Sequence, residues 1–211
     1  MCSLRLLRTT MRLVCAFPVG VAAQRVGVDA AVISTDHELL SSSLMGIAAH
    51  ATFALQTGPL SLRVGAERLA GTSRRIGTPC TGLVQPGTCE PEPMRDKARL
   101  IAASAGIGVR AITSRRIAVD VIADLSLTHA YIDSRGLASG ETISADQHLW
   151  DGDIGVETVW SPWSRLPVAI DASVSADHLK AVTTTPAVDG YAPFENGFEL
   201  VRLRFGVAWR L

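Results

Sequence analysis

The stretch Val201–Leu211, written VRLRFGVAWRL, decides the fold. Its odd-numbered positions are all apolar and include Phe205 and Trp209, whereas its even-numbered positions are arginine, glycine or alanine. Because side chains alternate between the two faces of a strand, this period of two predicts a β-strand with one wholly apolar face. A strand that stays apolar to its last residue needs a neighbour to pair with and a surface to cover it.

The same alternation recurs along the chain, and no segment has a convincing helical period. Seven further strands are predicted, at 25–34, 44–55, 60–67, 101–111, 117–131, 150–160 and 168–177. The predicted fold class is therefore all-β, with eight strands of a length that suffices to cross an outer membrane at a tilt.

The predicted connections alternate in length. Short turns are expected at 56–59, 113–116 and 161–167, and long loops at 71–97, 133–146 and 179–197. In an antiparallel up-and-down arrangement, all short turns lie at one end and all long loops at the other. Transmembrane β-barrels have this asymmetry, with short periplasmic turns and long outer loops.

The closing strand resembles that of bacterial outer-membrane β-barrels, although Leu211 stands where that family usually has a terminal aromatic residue. From about Arg25 to Leu211, the chain resembles the eight-stranded barrels of the OmpA/OmpX type. The resemblance implies an antiparallel transmembrane β-barrel in the outer membrane of a Gram-negative bacterium, surrounded by lipid. It also implies that the barrel-assembly machinery recognises the closing strand. A soluble carrier barrel is the alternative, with the charged face outward and the apolar face lining a pocket.

Residues 1–23 are predicted to be a cleaved signal peptide. Arg5, Arg8 and Arg12 form a positive region, an apolar core follows at 13–21, and the expected cut lies between Ala23 and Gln24. Met11 is an alternative start. The barrel domain is then 24–211, and the formal charge of zero for the whole chain gives no argument for nucleic acid.

Removal of the leader leaves two cysteines, Cys80 and Cys89, in a segment rich in glycine and proline. In an oxidising compartment, this pair predicts a disulfide that closes a loop. Metal binding is the competing interpretation, but no histidine or further cysteine lies nearby in the sequence to complete a site.

The parity opposite the apolar one carries most of the charged residues of the strands, and the barrel model places it inside. The predicted interior charge network is Asp29, Arg63, Glu67, Arg110, Asp120, Asp124, Asp153, Glu157, Asp171, Arg202 and Arg204. Since the first and last strands must pair, Arg202 and Arg204 are expected near Asp29. The predicted membrane-interface aromatics are Tyr131, Trp150, Trp160, Trp163 and Trp209.

The sequence predicts a non-enzymatic protein without a cofactor, with a structural role or a binding or adhesion role in its outer loops, whose partner is left open. One alternative is a lipid-modifying barrel enzyme, for which His129 and His178 are the rim histidines. The deacylase type of such enzymes resembles a His-x-Ser pattern on one strand. Neither histidine has a serine two residues later, so neither matches this pattern. The other alternative is a narrow pore, although eight strands leave little space once side chains fill the interior.

Overall fold

A computed structural model describes residues 23–35, 43–55, 58–77, 90–163, 165–181 and 198–211. It contains eight strands: β1 (Ala23–Thr35), β2 (Leu44–Ala54), β3 (Leu60–Gly77), β4 (Glu92–Thr113), β5 (Ile117–Gly136), β6 (Thr142–Trp160), β7 (Val168–Ala181) and β8 (Phe198–Arg210). The predicted leader, apart from its last residue, and the Cys80–Cys89 disulfide lie outside the described residues. Nowhere in the described ranges is there a helix both long and apolar enough to cross a membrane.

The strands pair antiparallel in chain order, and β1 pairs with β8 to close the ring. The predicted all-β, eight-stranded, up-and-down barrel is therefore confirmed. Leu200 of β8 pairs with a residue of β7, that residue pairs with one of β6, and so on round the ring to β1. The last pairing returns to β8 at Arg210, ten residues after the starting point. This stagger tilts the strands to the barrel axis, typically by about 35–45°.

Strands β3 to β6 extend well beyond their predicted ends. The predicted loop 71–97 is wrong at both ends, because β3 continues to Gly77 and β4 begins at Glu92. The predicted loop 133–146 is replaced by a turn at 137–141. The outward faces of these ends are polar, as at Arg74, Arg95 and Ser144, so the ends lack the apolar outward face by which the other strand segments are predicted. β3 to β6 therefore extend beyond the other four strands at the long-loop end.

The outer wall of the barrel carries an apolar band. On β5 its members are Ile117, Val119, Val121, Ala123, Leu125 and Leu127, and on β8 the alternating positions from Val201 to Trp209. Ten residues at about 3.3 Å each and a tilt of about 40° rise about 25 Å, which is the height of the apolar band of outer-membrane barrels. Leu125 and Phe205 are 66% and 63% exposed in the isolated chain, as lipid-facing side chains are.

Candidate functional site

The interior has two layers. The inward-facing residues near the short-turn end form a charged layer of nine carboxylates, five arginines and one histidine: Arg25, Asp29, His50, Arg63, Glu67, Arg110, Asp120, Asp124, Asp151, Asp153, Glu157, Asp171, Asp177, Arg202 and Arg204. The inward-facing residues nearer the long-loop end form an apolar layer: Ala31, Ile33, Leu44, Ala48, Leu69, Ala98, Leu100, Ala130, Ile132, Leu149, Leu179, Phe198 and Leu200.

Arg202 is the centre of the charged layer. It is 3% exposed, and its Nε lies 3.2 Å from Glu67 Oε1. Its two Nη atoms lie 2.9–3.0 Å from oxygens of Asp151, Asp153 and Asp177. Asp153 and Asp177 are paired residues on neighbouring strands, where like charges repel. A planar guanidinium with five donors gives this group of carboxylates one shared counter-charge.

Glu157 is the second centre, because its two oxygens each accept from a different arginine. Arg25 Nη2 donates to Oε1 at 2.6 Å, and Arg63 donates to Oε2. Arg63 Nε also lies 3.5 Å from Asp124 Oδ1. Gly106 is paired with both Arg63 and Asp124, and a Cβ on Gly106 would clash with the Asp124 carboxylate. The missing side chain is therefore what lets the ion pair form across the intervening strand.

Arg110 and Arg204 sit in less buried surroundings. Arg110 bonds Asp120 at the mouth on the short-turn side, where its side chain is 38% exposed. Arg204 Nε donates to Glu67 Oε2 at 3.0 Å. Of the two arginines expected near Asp29, Arg204 lines the same small cavity as Asp29. In the described part of the chain neither arginine forms an ion pair with Asp29, because their guanidinium groups pair with carboxylates on other strands.

Asp29 contacts a histidine instead. His50 Nδ1 lies 3.0 Å from Asp29 Oδ2, and His50 Nε2 lies 3.6 Å from Asp171 Oδ2. Asp29 and Asp171 are 4% and 3% exposed. One nitrogen of His50 and one oxygen from each aspartate lie within 4.8 Å of one another, a donor set that fits a cation.

The apolar layer closes the interior above the charges. Ile132 and Leu149 are fully buried, and Leu69 and Leu179 are 1% exposed. The sequence did not predict this layer, because inward-facing residues were expected to be polar throughout. Packed apolar side chains exclude water from the space between them, so the charged layer meets a hydrophobic seal on its outer side.

Polar contacts resume inside the extended ends of β3 to β6. Arg75 Nε donates to the buried Asp96 Oδ2 at 2.9 Å. Glu92 accepts the backbone N–H groups of Ala138 and Ser139 and the Ser139 hydroxyl. The Ser139 hydroxyl, followed by the backbone donors, lowers the pKa of Glu92. The first residue of β4 thereby holds the turn between β5 and β6.

The outward face of the same extension is strongly basic. Arg74 is paired with Arg95, and Arg95 with Arg135, so three exposed arginines stand side by side on neighbouring strands. None of the three lies within ion-pairing distance of a carboxylate in the described part of the chain. Arg95, Arg135 and Lys97 line a cleft of about 400 Å³, which Asp133 and Thr142 border. Like charges in direct opposition are destabilising, so this row favours an anion.

The predicted aromatic residues lie on the outward face or at the short turns. Trp150, Trp160, Trp163 and Trp209 are 45–53% exposed, and Tyr131 donates to Asp133 Oδ1 at 2.9 Å. Three of the tryptophans lie near the short-turn end of their strands or in the turn itself: Trp160, Trp163 and Trp209.

The histidines proposed for an enzyme have other contacts. His129 bonds Asp146 and stacks on His148 with ring centres 4.8 Å apart, on the outward face. His178 is paired across strands with Gly152 and Glu199. In neither case is a serine hydroxyl among the contacts recorded within the described ranges.

Four charge-layer residues were missed by the sequence prediction: Arg25, His50, Asp151 and Asp177. Asp151 and Asp177 share the parity of the predicted network, so parity alone could have included them. His50 also has that parity, but an alternating strand of alanine and glycine gave no sign that a histidine would meet carboxylates. Arg25 has the parity of Asp29 in the predicted first strand, so parity could have included it as well.

No protein-family model matches the chain, and no curated protein matches it. Solved structures do match. The neisserial surface protein A is 18% identical, with 92% of this chain and 100% of that chain covered and a TM-score of 0.53. A major outer membrane protein from Thermus thermophilus is 11% identical, with 89% and 99% covered and a TM-score of 0.51. At this identity the likeness concerns the fold, and this chain has the fold of the small eight-stranded β-barrels of bacterial outer membranes.

Proposed function

We propose that this chain is a non-enzymatic outer-membrane protein that binds an anionic saccharide through the basic cleft on its extended strands. Residues 1–23 serve as a cleaved leader, residues 24–211 form the barrel, and the barrel-assembly machinery recognises the closing strand. The single observation that carries the binding role is the row Arg74–Arg95–Arg135, exposed and without carboxylate partners in the described part of the chain.

The position of the row supports a ligand outside the lipid. Arg135 follows Leu127, the last apolar band residue of β5, by eight residues. At the same rise and tilt, it lies roughly 20 Å above the band, beyond lipid headgroup phosphates and at the level of surface sugars. Guanidinium groups bind sulfate, phosphate and carboxylate oxygens with paired hydrogen bonds, which suits an anionic saccharide.

The filled interior favours a binding role for the protein over the conduction of small solutes. The apolar layer leaves Ile132 and Leu149 with no exposed surface, and an eight-stranded barrel is just wide enough for side chains to fill. For a lipid-modifying enzyme, a serine beside a histidine would be the required arrangement. The outward-facing His129 contacts Asp146 and His148 instead.

Location is tested with the full chain, leader included, expressed in a Gram-negative host. The protein should sediment with outer membranes and should shift in gel mobility on heating. Recovery as a soluble monomer without detergent would contradict the proposal.

Binding is tested with the refolded barrel in detergent, using immobilised dextran sulfate as the probe and uncharged dextran as the reference. The triple variant R74Q/R95Q/R135Q should lose most of the binding. The matched control R115Q/R116Q/R165Q removes three exposed arginines at the short-turn end and should retain it. Because salt screens the attraction between exposed charges, affinity should fall as salt rises.

Equal loss of binding in both triple variants would mean that net charge alone is responsible. Binding that survives R74Q/R95Q/R135Q unchanged would exclude the cleft as the site. Either result refutes the assignment of function to the extension.

A further inference from the structure

Two carboxylates of the charged layer stand apart from the other seven. In the described ranges, seven of the nine contact an arginine within 4.0 Å: Glu67, Asp120, Asp124, Asp151, Asp153, Glu157 and Asp177. Among the basic side chains described, only His50 lies within that distance of Asp29 and Asp171. Two buried carboxylates therefore share one imidazole, which leaves them with excess negative charge whether His50 is protonated or neutral.

Three polar atoms of these residues lack hydrogen-bond partners. They are Asp29 Oδ1, His50 Nε2 and Asp171 Oδ2, each with almost no solvent contact. Buried polar atoms without a partner are uncommon in proteins, and each one calls for an explanation such as an ion. Two of them, His50 Nε2 and Asp171 Oδ2, lie 3.6 Å apart on different strands, so one ligand can reach both.

Two glycines provide the space. Gly206 is paired with both Asp29 and Asp171, and a Cβ on Gly206 would clash with Asp29 Oδ1. Gly27 is paired with His50, and a Cβ there would lie 2.7 Å from His50 Nε2 and 3.2 Å from Asp171 Oδ2. The missing side chain of Gly27 therefore leaves room beside His50 Nε2 and Asp171 Oδ2.

We infer that His50 and Asp171, with Asp29 behind the histidine, form a binding site for a divalent transition-metal ion, with Zn²⁺ as the best-fitting case. Two ligands about 2.1 Å from a tetrahedral zinc are about 3.4 Å apart. The observed 3.6 Å between His50 Nε2 and Asp171 Oδ2 is close to this value. An imidazole ligand favours zinc and its neighbours over magnesium and calcium, which take oxygen ligands.

Asp29 orients the histidine of this site. Its Oδ2 accepts from His50 Nδ1, which leaves Nε2 free to ligate, as carboxylates behind metal-bound histidines commonly do. Glu157 Oε1 lies 4.0 Å from His50 Nε2, but Arg25 already pairs with this oxygen, so water takes the remaining positions.

The test uses residues 24–211 with Cys80→Ser and Cys89→Ser, which removes thiols that would bind zinc. The barrel is refolded in detergent in chelator-treated buffer, with and without Zn²⁺, then desalted. Bound zinc is measured by elemental mass spectrometry, and Co²⁺ replaces zinc for visible absorption of the bound ion. Folding of each variant is checked by the gel shift on heating.

The expected result is about one zinc per barrel, lost in His50→Gln and Asp171→Asn. Two controls should keep it: H129Q/H148Q removes the stacked surface imidazoles, and Asp177→Asn removes an interior carboxylate that already has an arginine partner. Asp171→Asn preserves side-chain size, so it gives an answer even if His50→Gln fails to fold. No zinc above background in the parent barrel, or equal zinc in parent and Asp171→Asn, would overturn the site.

Discussion

The two layers fill the barrel interior with side chains of opposite kinds. The charged layer fills the barrel with groups that are tolerable only when paired, and Arg202 alone serves four carboxylates. The apolar layer needs no partners, because residues such as Leu149 only have to fit. The difference teaches that the charged layer depends on the exact register of many strands, whereas the apolar layer depends on volume.

The largest effect is expected from Arg202→Ala, which leaves several buried carboxylates without their shared counter-charge. The free energy of unfolding should fall by about 3–5 kcal/mol. Urea unfolding of the barrel in lipid vesicles measures it. Adding Asp177→Asn removes one of the carboxylates that lost its counter-charge and should recover part of the lost stability. A loss below about 1 kcal/mol would mean that the charged layer is not a paired network.

Leu149→Ala probes the apolar layer. Leu149 is fully buried, so its truncation should leave a cavity and cost about 2–4 kcal/mol in the same unfolding measurement. Leu125→Ala removes the same atoms from the lipid-facing wall, where lipid refills the space, and should cost less. Equal costs for the two variants would argue against a packed interior seal.

Arg204→Ala should have an intermediate effect within the charged layer. Arg204 contacts Glu67, which keeps Arg202 as a second partner. The expected loss is about 1.5–3 kcal/mol, the value of a hydrogen bond between charged groups. A cost equal to that of Arg202→Ala would show that the number of partners does not set the effect.

Arg74→Ala should change stability by less than about 0.5 kcal/mol, because this exposed side chain on β3 has no carboxylate partner among the described residues. The same unfolding assay should find a normal midpoint. A clear loss of stability would indicate that the outward basic row has an intramolecular role, in place of the ligand role proposed for it.

The sequence was sufficient to predict the barrel because the alternation of apolar and polar residues repeats in all eight strands. Leu203 and Phe205 alternate with Arg202 and Arg204, and this alternation specifies both the strand and its two environments. Where polar residues occupy both faces, as at Arg74 and Ser73, the signal disappears and the sequence predicts a loop in place of the strand extension.

The contacts between the charged side chains could not be predicted from the sequence, for a different reason. A partner is set by strand stagger and side-chain reach, and Arg204 meets Glu67 across the interior although the two strands are not neighbours. The contact between His50 and Asp29 also depends on register, which a single sequence does not contain. Parity predicts which way a side chain points, and only the closed ring decides what it meets.

From Val201 to Ala208, the odd-numbered residues of β8 should face lipid and the even-numbered ones should face the interior, with Arg202 and Arg204 in the charged layer. Single cysteines at each position from 201 to 208, in a barrel lacking Cys80 and Cys89, are spin-labelled and reconstituted in lipid vesicles. Collision with oxygen, which is enriched in lipid, should be high at positions such as Leu203 and Phe205 and low at Arg202 and Arg204. The opposite alternation, or no alternation, would contradict the assignment of the whole barrel.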